Sequence, residues 1–539
     1  LLNAMIIVRP AEEHDIEGIR DIFLKVYGKD YPYKEFYDTT WLKRAIFNDH
    51  GLMLVAVETQ TNVLTGTASV LFEFGAHSDL VGEFGRLAVD PDYQGLGVGK
   101  LLMDKRLEAI QNRLHLGLVM CRVTHPFSQK ISLAHQFVPF GFLPLCYQFS
   151  HRESFALLGQ HFGNALALRK NNPRIIPEVS ALAHLSLPKA SLPCDAIIDE
   201  DSASYPSHGV FTLQELSVEG YPDLLRIERG RVRNREIFGS MRLEYGFFKL
   251  QANHATYLLA SDDTQLVGAI GFTLNNIEHS VRVFELISFS DPAIRFLLAE
   301  LERKCRDEWG VEYIEIDVSA HAPRMQRTLL ELNFLPAAYV PAMVFHEVER
   351  LDIIRMVRLL HLRDLGPLAL LPEVQEVADV VMRGFQSRAV IPKIAKLVAE
   401  IPLFQGMSSE QCDRLAGAFG LRKFKQGAHL FKESEEADKM FILLEGRITI
   451  STGSPLVQIG QIEKGETVGE LSFLSSSPHS ATATAQTKVE TASLTHQALA
   501  DLVRRRPDIG VIMYRNLAAG IGKKLLRSDV CVRDRALNQ

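Results

Sequence analysis

The chain lacks most of what marks a secreted, membrane-spanning or nucleic-acid-binding protein. Its six cysteines (Cys121, Cys146, Cys194, Cys305, Cys412 and Cys531) lie far apart with no Cys-x-x-Cys pair, so reduced, mostly buried thiols are expected and no metal site. No apolar run reaches the roughly 20 residues that span a bilayer. The N-terminus shows no charged region ahead of a signal-type apolar core. Positive charge is not in excess either. Lys+Arg 59 against Asp+Glu 65 gives a net charge of -6, without a basic arm, which argues against nucleic acid as the main partner. What remains is a globular composition, 47% apolar and 23% charged, with 36 Gly and 23 Pro. At 539 residues the chain exceeds what one core supports, and three or four cytoplasmic domains are expected.

Four stretches separate along the chain. The first runs from Met5 to about Ser150: a strand at Ile6-Ile7-Val8, then a helix with Ile16, Ile19, Ile22, Phe23 and Val26 on the 3.6 period. Alternating strands follow at Leu52, Leu54, Ala56 and at Thr67, Ser69, Leu71. Between His151 and His208 the pattern weakens. Ile175 to Pro206, rich in Pro, Ser and Ala, reads as a helix and a long linker. A second α/β stretch covers Val210 to about Val348, and Leu351 to Leu371 and Val374 to Phe385 read as connecting helices. From Ile391 short strands alternate with Gly turns, closed by a helix.

The first and third stretches carry an internal repeat. Leu54 to Val57 with Val63 to Gly66 matches Leu258 to Ser261 with Leu266 to Gly268. Glu83 to Pro91 matches Phe284 to Pro292, and Gly141-Phe142-Leu143-Pro144 matches Asn333-Phe334-Leu335-Pro336. Three matches in one order predict two copies of one fold.

The most informative segment is Gly85 to Lys100. A strand through Leu87 and Val89 stops at Pro91, and Gly95, Gly97 and Gly99 lead into a helix carrying Leu101, Leu102 and Leu107. Glycines let backbone amides approach an anion, and the helix aims its unpaired N-terminal amides at the same point. Such a loop suits a diphosphate. A dinucleotide-binding βαβ unit would look similar, but no downstream acidic partner or parallel unit is evident.

Here the chain resembles the GNAT family of acyl-CoA-dependent N-acyltransferases. Val89-Asp90-Pro91 followed by Gln94-Gly95-Leu96-Gly97-Val98-Gly99 matches the family signature, and Val8-Arg9-Pro10-Ala11, Asp15 and Gly141-Phe142 sit at family-typical places. The resemblance implies that the amides from Gln94 to Lys100 hold the pyrophosphate of acetyl-CoA or another acyl-CoA. It also implies that a backbone amide among Leu87, Ala88 and Val89 polarises the acyl carbonyl. Glu83 stands where many members carry a general base; the competing reading is an edge-strand glutamate. The family's phenolic acid position holds Phe137. His135, His125 and Tyr147 are substitutes, each also readable as an ordinary packing or surface residue. In the second copy Asp291-Pro292 runs straight into Ala293-Ile294-Arg295 without the glycines, which implies a degenerate GNAT-like domain.

The C-terminal stretch resembles the cyclic nucleotide-binding domain family over about Ile401 to Ala519. The carriers are Gly469-Glu470-Leu471-Ser472-Phe473-Leu474 and then Pro478-His479-Ser480-Ala481-Thr482. The resemblance implies that Glu470 accepts from a ribose hydroxyl. The family's phosphate-binding Arg is replaced by His479, a single and mostly neutral donor in place of a charged fork. Val468 and Ser434 depart from the family's Phe and Gly. A weak cyclic nucleotide site held by amides after Gly469 and the hydroxyls of Ser480 and Thr482, a site for another ligand, and a purely structural roll all fit. Only one helix follows, from Val511 to about Arg527, and its Lys523-Lys524-Arg527 cluster reads as a solvated face.

The expected architecture is α/β (α+β): tandem GNAT-like mixed-sheet domains and then an all-β roll with flanking helices. The expected segments are 5–150 for the first domain, 151–208 for helix and linker, 209–349 for the degenerate copy, 350–392 for a helical connector and 393–530 for the roll. The expected function is an N-acyltransferase acting on an amine such as protein lysine, with a cyclic nucleotide as effector. A CoA or nucleotide sensor and a small-molecule amine acetyltransferase are the alternatives.

Overall fold

The computed structural model describes residues 6–537 except 30, 50, 73–76, 217–234, 240–252, 263–264, 361–364, 396, 398–399 and 455–456. The chain divides into two compact units, Leu1–Val381 and Met382–Gln539.

The first unit is built on one long mixed sheet. Its first half comprises β1 (Ile6–Pro10), β2 (Gly51–Glu58), β3 (Leu64–Leu71), β4 (Val81–Val89), β5 (Leu116–Arg122), β6 (Val138–Gln148) and β7 (Arg152–His161). Their order is β1-β2-β3-β4-β5-β7-β6, antiparallel throughout except for the parallel pair β4–β5. Helices α1 (Ile16–Tyr27), α2 (Thr39–Ile46), α3 (Val98–Ile110) and α4 (Phe127–Ala134) accompany it. Strand β2 shows why both faces are covered. Its residues Met53, Val55 and Val57 join the core of Ile16, Ile19, Phe23 and Leu42. The alternate residues Leu54 and Ala56 pack with Val98 and Leu102 of α3, as a period of two requires.

The second half repeats this arrangement strand for strand. Thr212–Glu215, Asn253–Ser261, Leu266–Asn275, Ser280–Ser288, Tyr313–Ser319, Glu349–Leu359 and Leu335–His346 follow one another across the sheet. The parallel pair again falls between the fourth and fifth of them. The halves meet where Gly141 of β6 pairs with Ala338. A Cβ at Gly141 would lie 2.2 Å from that of Ala338, so only glycine lets the two backbones pair.

Two readings are corrected. Residues Arg152–His161, taken as the start of a linker region, form β7 and close the first half against β5 and β6. The expected helix and extended stretch begin later, at α5 (Pro177–Lys189). Leu351 onward, expected as helix, is the strand Glu349–Leu359. The error has a physical cause. Asp352 and Arg355, three apart, read as the polar stripe of a helix, yet both are buried. Asp352 pairs with Arg169 at 2.6 Å and Arg355 with Asp317 at 2.7 Å. Val374 to Phe385 fall in the helix Pro372–Ala395, as expected.

The second unit holds two four-stranded sheets. One orders Gly420–Phe424, Val489–Thr495, Lys439–Glu445 and Thr467–Val468; the other orders His429–Phe431, Thr482–Ala485, Ile448–Thr452 and Val457–Ile462. Helices Ser409–Gly417, His496–Arg505 and Pro507–Leu537 flank them. Cys121, Cys146, Cys305 and Cys412 are buried thiols, and Cys194 is exposed. No helix among the described residues is long and apolar enough to cross a membrane.

Candidate functional site

The first site is shaped by an interruption in β4. Thr67 pairs with Ala88 but Ser69 pairs with Gly85, so Arg86 and Leu87 together oppose Ala68 and form a bulge. Arg86 takes a φ of 55° there, a conformation that costs a non-glycine residue of order 1 kcal/mol. The parallel pairing of β4 with β5 ends at Phe84 and Val119. Beyond it Ala88 and Val89 pair only towards β3, and β4 has no further pairing with β5.

Beneath the bulge lies Arg106 of α3, fully buried. It donates to the carbonyls of Ser69 (3.3 Å) and Gly85 (3.4 Å) and sits 5.3 Å from the Phe84 ring centre. Burial without a carboxylate beside it pulls its pKa down to about 9. Sequence reasoning missed Arg106, since its partners are backbone carbonyls of distant strands.

The glycine loop follows at once. Asp90 accepts from the Asp92 amide at 3.1 Å and receives Lys25 Nζ at 2.7 Å; Tyr93 Oη donates to Glu58 at 2.9 Å. Gly95 and Gly97 have φ of 80° and 85°, and the space a Cβ would fill at each is empty. Gly97 is the N-cap of α3. The early amides of α3 have no acceptor within the helix, and the positive end of its dipole faces the same direction. Gln94, Leu96 and Lys100 are exposed beside it, while Val98 and Gly99 are buried. Gly99 has a different task from the other two glycines: its Cβ would lie 2.8 Å from Ile131 Cδ1, so it sets the packing of α3 on α4.

Glu83 projects from β4 before the bulge, its carboxylate 15% exposed and 3.4 Å from the Arg86 guanidinium. Phe137 is in the core, edge-on to Phe84 at 5.3 Å. Of the substitutes for a phenolic acid, His135 binds Asp104 (2.8 Å) and the Ile131 carbonyl (2.7 Å). His125 is half-buried beside Arg122 and Glu153, and burial lowers its pKa. Tyr147 alone of the three shares the surroundings of Glu83: it lies in the field of Glu83, Arg86, Tyr31 and Glu278, and burial holds its phenol protonated. Glu278 comes from the second half of the sheet, accepting from Tyr33 Oη at 2.5 Å and from the Gln148 amide at 3.2 Å. A partner 245 residues away leaves no local signal in the sequence.

The second half has no such loop. Its helix Asp291–Asp307 begins directly after Ser290, and Arg324 caps Asp291 at 3.0 Å.

In the second unit, Gly469 (φ 82°) starts the short helix Glu470–Ser475. A Cβ there would meet Phe431 at 3.2 Å and His479 at 3.3 Å. The His479 ring stacks on Phe431, centres 3.7 Å apart and planes at 11°, and burial lowers its pKa against Glu435 and Asp438. It is a neutral packing ring, not a cationic fork. Thr482 Oγ1 accepts from the Glu433 amide at 3.0 Å, and Ser472 Oγ donates to the Pro478 carbonyl at 3.2 Å. Ala481 is buried, and Leu471 and Ser480 are exposed. Lys524 corrects the reading of its cluster as a solvated face. Its Nζ reaches back to Glu470 Oε1 and to the Thr467 carbonyl, both at 2.6 Å.

Comparison with known proteins matches a family to each of two stretches of the chain. Residues 16–136 match the acetyltransferase (GNAT) family, and residues 421–506 match the cyclic nucleotide-binding domain. The chain therefore carries a GNAT acetyltransferase domain and a cyclic nucleotide-binding domain. It is 36% identical over 99 residues to a cyclic nucleotide-gated potassium channel of Rhizobium etli, covering 18% of this chain and 27% of the channel. It is 26% identical over 132 residues to the cyclic AMP receptor protein of Thermus thermophilus, covering 24% of this chain and 59% of that protein. Among solved structures, the N-terminal domain of a transcriptional regulator from Streptomyces coelicolor A3(2) aligns at 27% identity and a TM-score of 0.22, over 24% of this chain and 94% of that one. Among the described residues no group of three or more His, Cys, Asp or Glu is placed to hold a metal ion.

Proposed function

We propose that the first half of the long sheet is an acyl-CoA-dependent N-acyltransferase, with acetyl-CoA as donor and an amine, protein lysine first among candidates, as acceptor. The observation that carries this reading is the succession of three features along one stretch of chain: Glu83, the bulge at Arg86–Leu87 where β4 stops pairing with β5, and the loop of Gly95 and Gly97 capping α3. In this reading the amides from Gly95 to Lys100 hold the pyrophosphate. The backbone of Leu87 to Val89 takes the thioester. The acyl-CoA supplies an activated carbonyl. An ammonium of pKa about 10.4 must lose a proton before attack, and Glu83 accepts it directly or through water. The thiol leaving group has a pKa of about 8.5, so its departure as thiolate is only modestly uphill, and Tyr147, which shares the surroundings of Glu83, is the first candidate for proton donor.

The second unit is proposed to regulate the first through a ligand that takes the place of Lys524 at Glu470, a cyclic nucleotide being the first candidate. His479 supplies no charge to a phosphate. The missing charge-assisted contact, worth about 1.5–3 kcal/mol, weakens such binding roughly ten- to a hundred-fold. Regulation requires a coupling between the units of about 1–3 kcal/mol. A competing reading, that the first site binds CoA only as a signal, is favoured by Phe137, which removes the family's phenol from its usual place. Acyl transfer from acetyl-CoA to a panel of lysine peptides and small amines, with and without cyclic AMP or cyclic GMP, separates the readings. Turnover supports the enzyme, CoA binding without turnover supports the sensor, and a preference for small amines reassigns the acceptor.

A further inference from the structure

The two halves of the long sheet exchange carboxylates in a matched way. Arg152 of β7 donates to the carbonyls of Leu145 (2.7 Å), Cys146 (3.2 Å) and Glu278 (2.7 Å). Its counterpart Arg350 donates to Ala342 (2.7 Å), Met343 (2.8 Å) and Asp79 (2.8 Å). Each arginine thus holds the connection before the other half's fourth strand. Each connection then presents its carboxylate to one amide: Glu278 to Gln148 (3.2 Å) and Asp79 to Phe345 (2.9 Å). Even the next residues match, Leu80 and His279 having φ of 50° and 47°.

The match breaks where function would need it to. Asp79 serves the half without an anion loop. Glu278, one methylene longer, serves the half that has one. There its second oxygen takes the Tyr33 hydroxyl at 2.5 Å, which also receives Asn275 Nδ2 at 3.2 Å. Tyr31 and Tyr147 lie in the combined field of Glu278 and Glu83. Glu278 is 3% exposed, and among the described residues no cation pairs with its carboxylate. Arg152, the cation in its field, donates to carbonyls and lies 3.8 Å from Glu312. A buried carboxylate with no cation in direct contact is costly.

Resting on the proposed acyl transfer, we infer that Glu278 is the amine-recognition group of the first site, so that the second half of the sheet completes the acceptor pocket of the first. The class of ligand is a primary ammonium, held by the Glu278 carboxylate among Tyr31, Tyr33 and Tyr147, with proton removal left to Glu83. The second half is then a substrate-binding partner and not a relic.

Burial raises the Glu278 carboxyl to about 7. The groups facing it are Tyr31 and Tyr33 from the segment after α1, Cys146 and Tyr147 from β6, and Arg152 from β7; Glu83 and Arg86 of β4 act on the same Tyr31 and Tyr147. Acceptor binding therefore strengthens as pH rises through about 7. The test is steady-state kinetics of the full chain and its Glu278→Gln and Glu278→Asp variants across pH 6 to 8.5. The expected result for Glu278→Gln is a rise of tenfold or more in acceptor KM, a smaller change in kcat, an unchanged acetyl-CoA KM and a flattened pH profile of acceptor KM. Glu278→Asp recovers part of the loss. An acceptor KM and pH profile unchanged in Glu278→Gln overturn the inference and leave Glu278 a clamp. If the wild-type chain turns over no amine, acyl transfer fails separately. Calorimetric titration of the CoA-loaded chain with a lysine peptide and with 1,4-diaminobutane then decides. Binding weakened tenfold in Glu278→Gln supports the inference; equal binding in both, or none in either, overturns it.

Discussion

Lys524 Nζ lies 2.6 Å from Glu470 Oε1, so a side chain of the C-terminal helix occupies the carboxylate that the resemblance assigns to a ribose. The pair is partly exposed, Lys524 at 29%, and is worth at most about 1 kcal/mol. Lys524→Met should therefore tighten cyclic nucleotide binding to the full chain by up to about fivefold, measured by calorimetry. An unchanged or weaker affinity shows that Lys524 does not compete with the ligand.

His479→Arg asks the complementary question. The substitution supplies the permanent charge that the neutral His479 ring lacks, and cyclic AMP affinity should rise roughly ten- to a hundred-fold. Loss of the Phe431 stack accompanies it, so thermal stability should fall slightly. No gain in affinity would mean that position 479 does not face a phosphate.

The two kinds of glycine should separate cleanly. Gly97→Glu puts a side chain and a negative charge into the loop, where nothing in the fold is displaced. CoA binding should vanish, with a stability loss of about 1 kcal/mol or more from the positive φ. Gly99→Val drives side-chain atoms into Ile131. It should cost about 1–3 kcal/mol of stability by overpacking. Retained CoA affinity in Gly97→Glu would remove the anion site from the loop.

Glu278 also carries a stability signature that needs no substrate. Its carboxyl is raised from 4.5 to about 7 in the fold, so the folded chain binds its proton more tightly than the unfolded one. That contribution is complete below about pH 4.5 and is lost as pH climbs to about 7. Denaturant titrations should show this decline in the wild type and a shallower one in Glu278→Gln. Identical slopes would place the carboxyl at an ordinary pKa.

What the sequence revealed, and what it hid, follows from how local each signal is. The loop was legible because Gly95, Gly97 and the start of α3 are contiguous. The duplication was legible because three short matches kept their order, and the strand order repeats it across the sheet. The last strand of the second half was misread because its charged residues are buried in pairs such as Arg355–Asp317, and charge spacing without partners looks like a helix surface. Lys524 reads as solvated and Glu278 gives no signal for one reason: each acts on a residue far away in the chain, Glu470 and Tyr33. Arg106 is the same case with carbonyls as partners.

The account rests on acyl transfer beside Glu83. The most direct measurement is thiol release from acetyl-CoA by the full chain, with a lysine-containing acceptor, in the wild type and in Glu83→Gln. Amine-dependent release that falls about a hundredfold in the variant, with CoA affinity intact, is the predicted result. Release no faster than background with several acyl-CoAs and amines, or a rate untouched by Glu83→Gln, would contradict it.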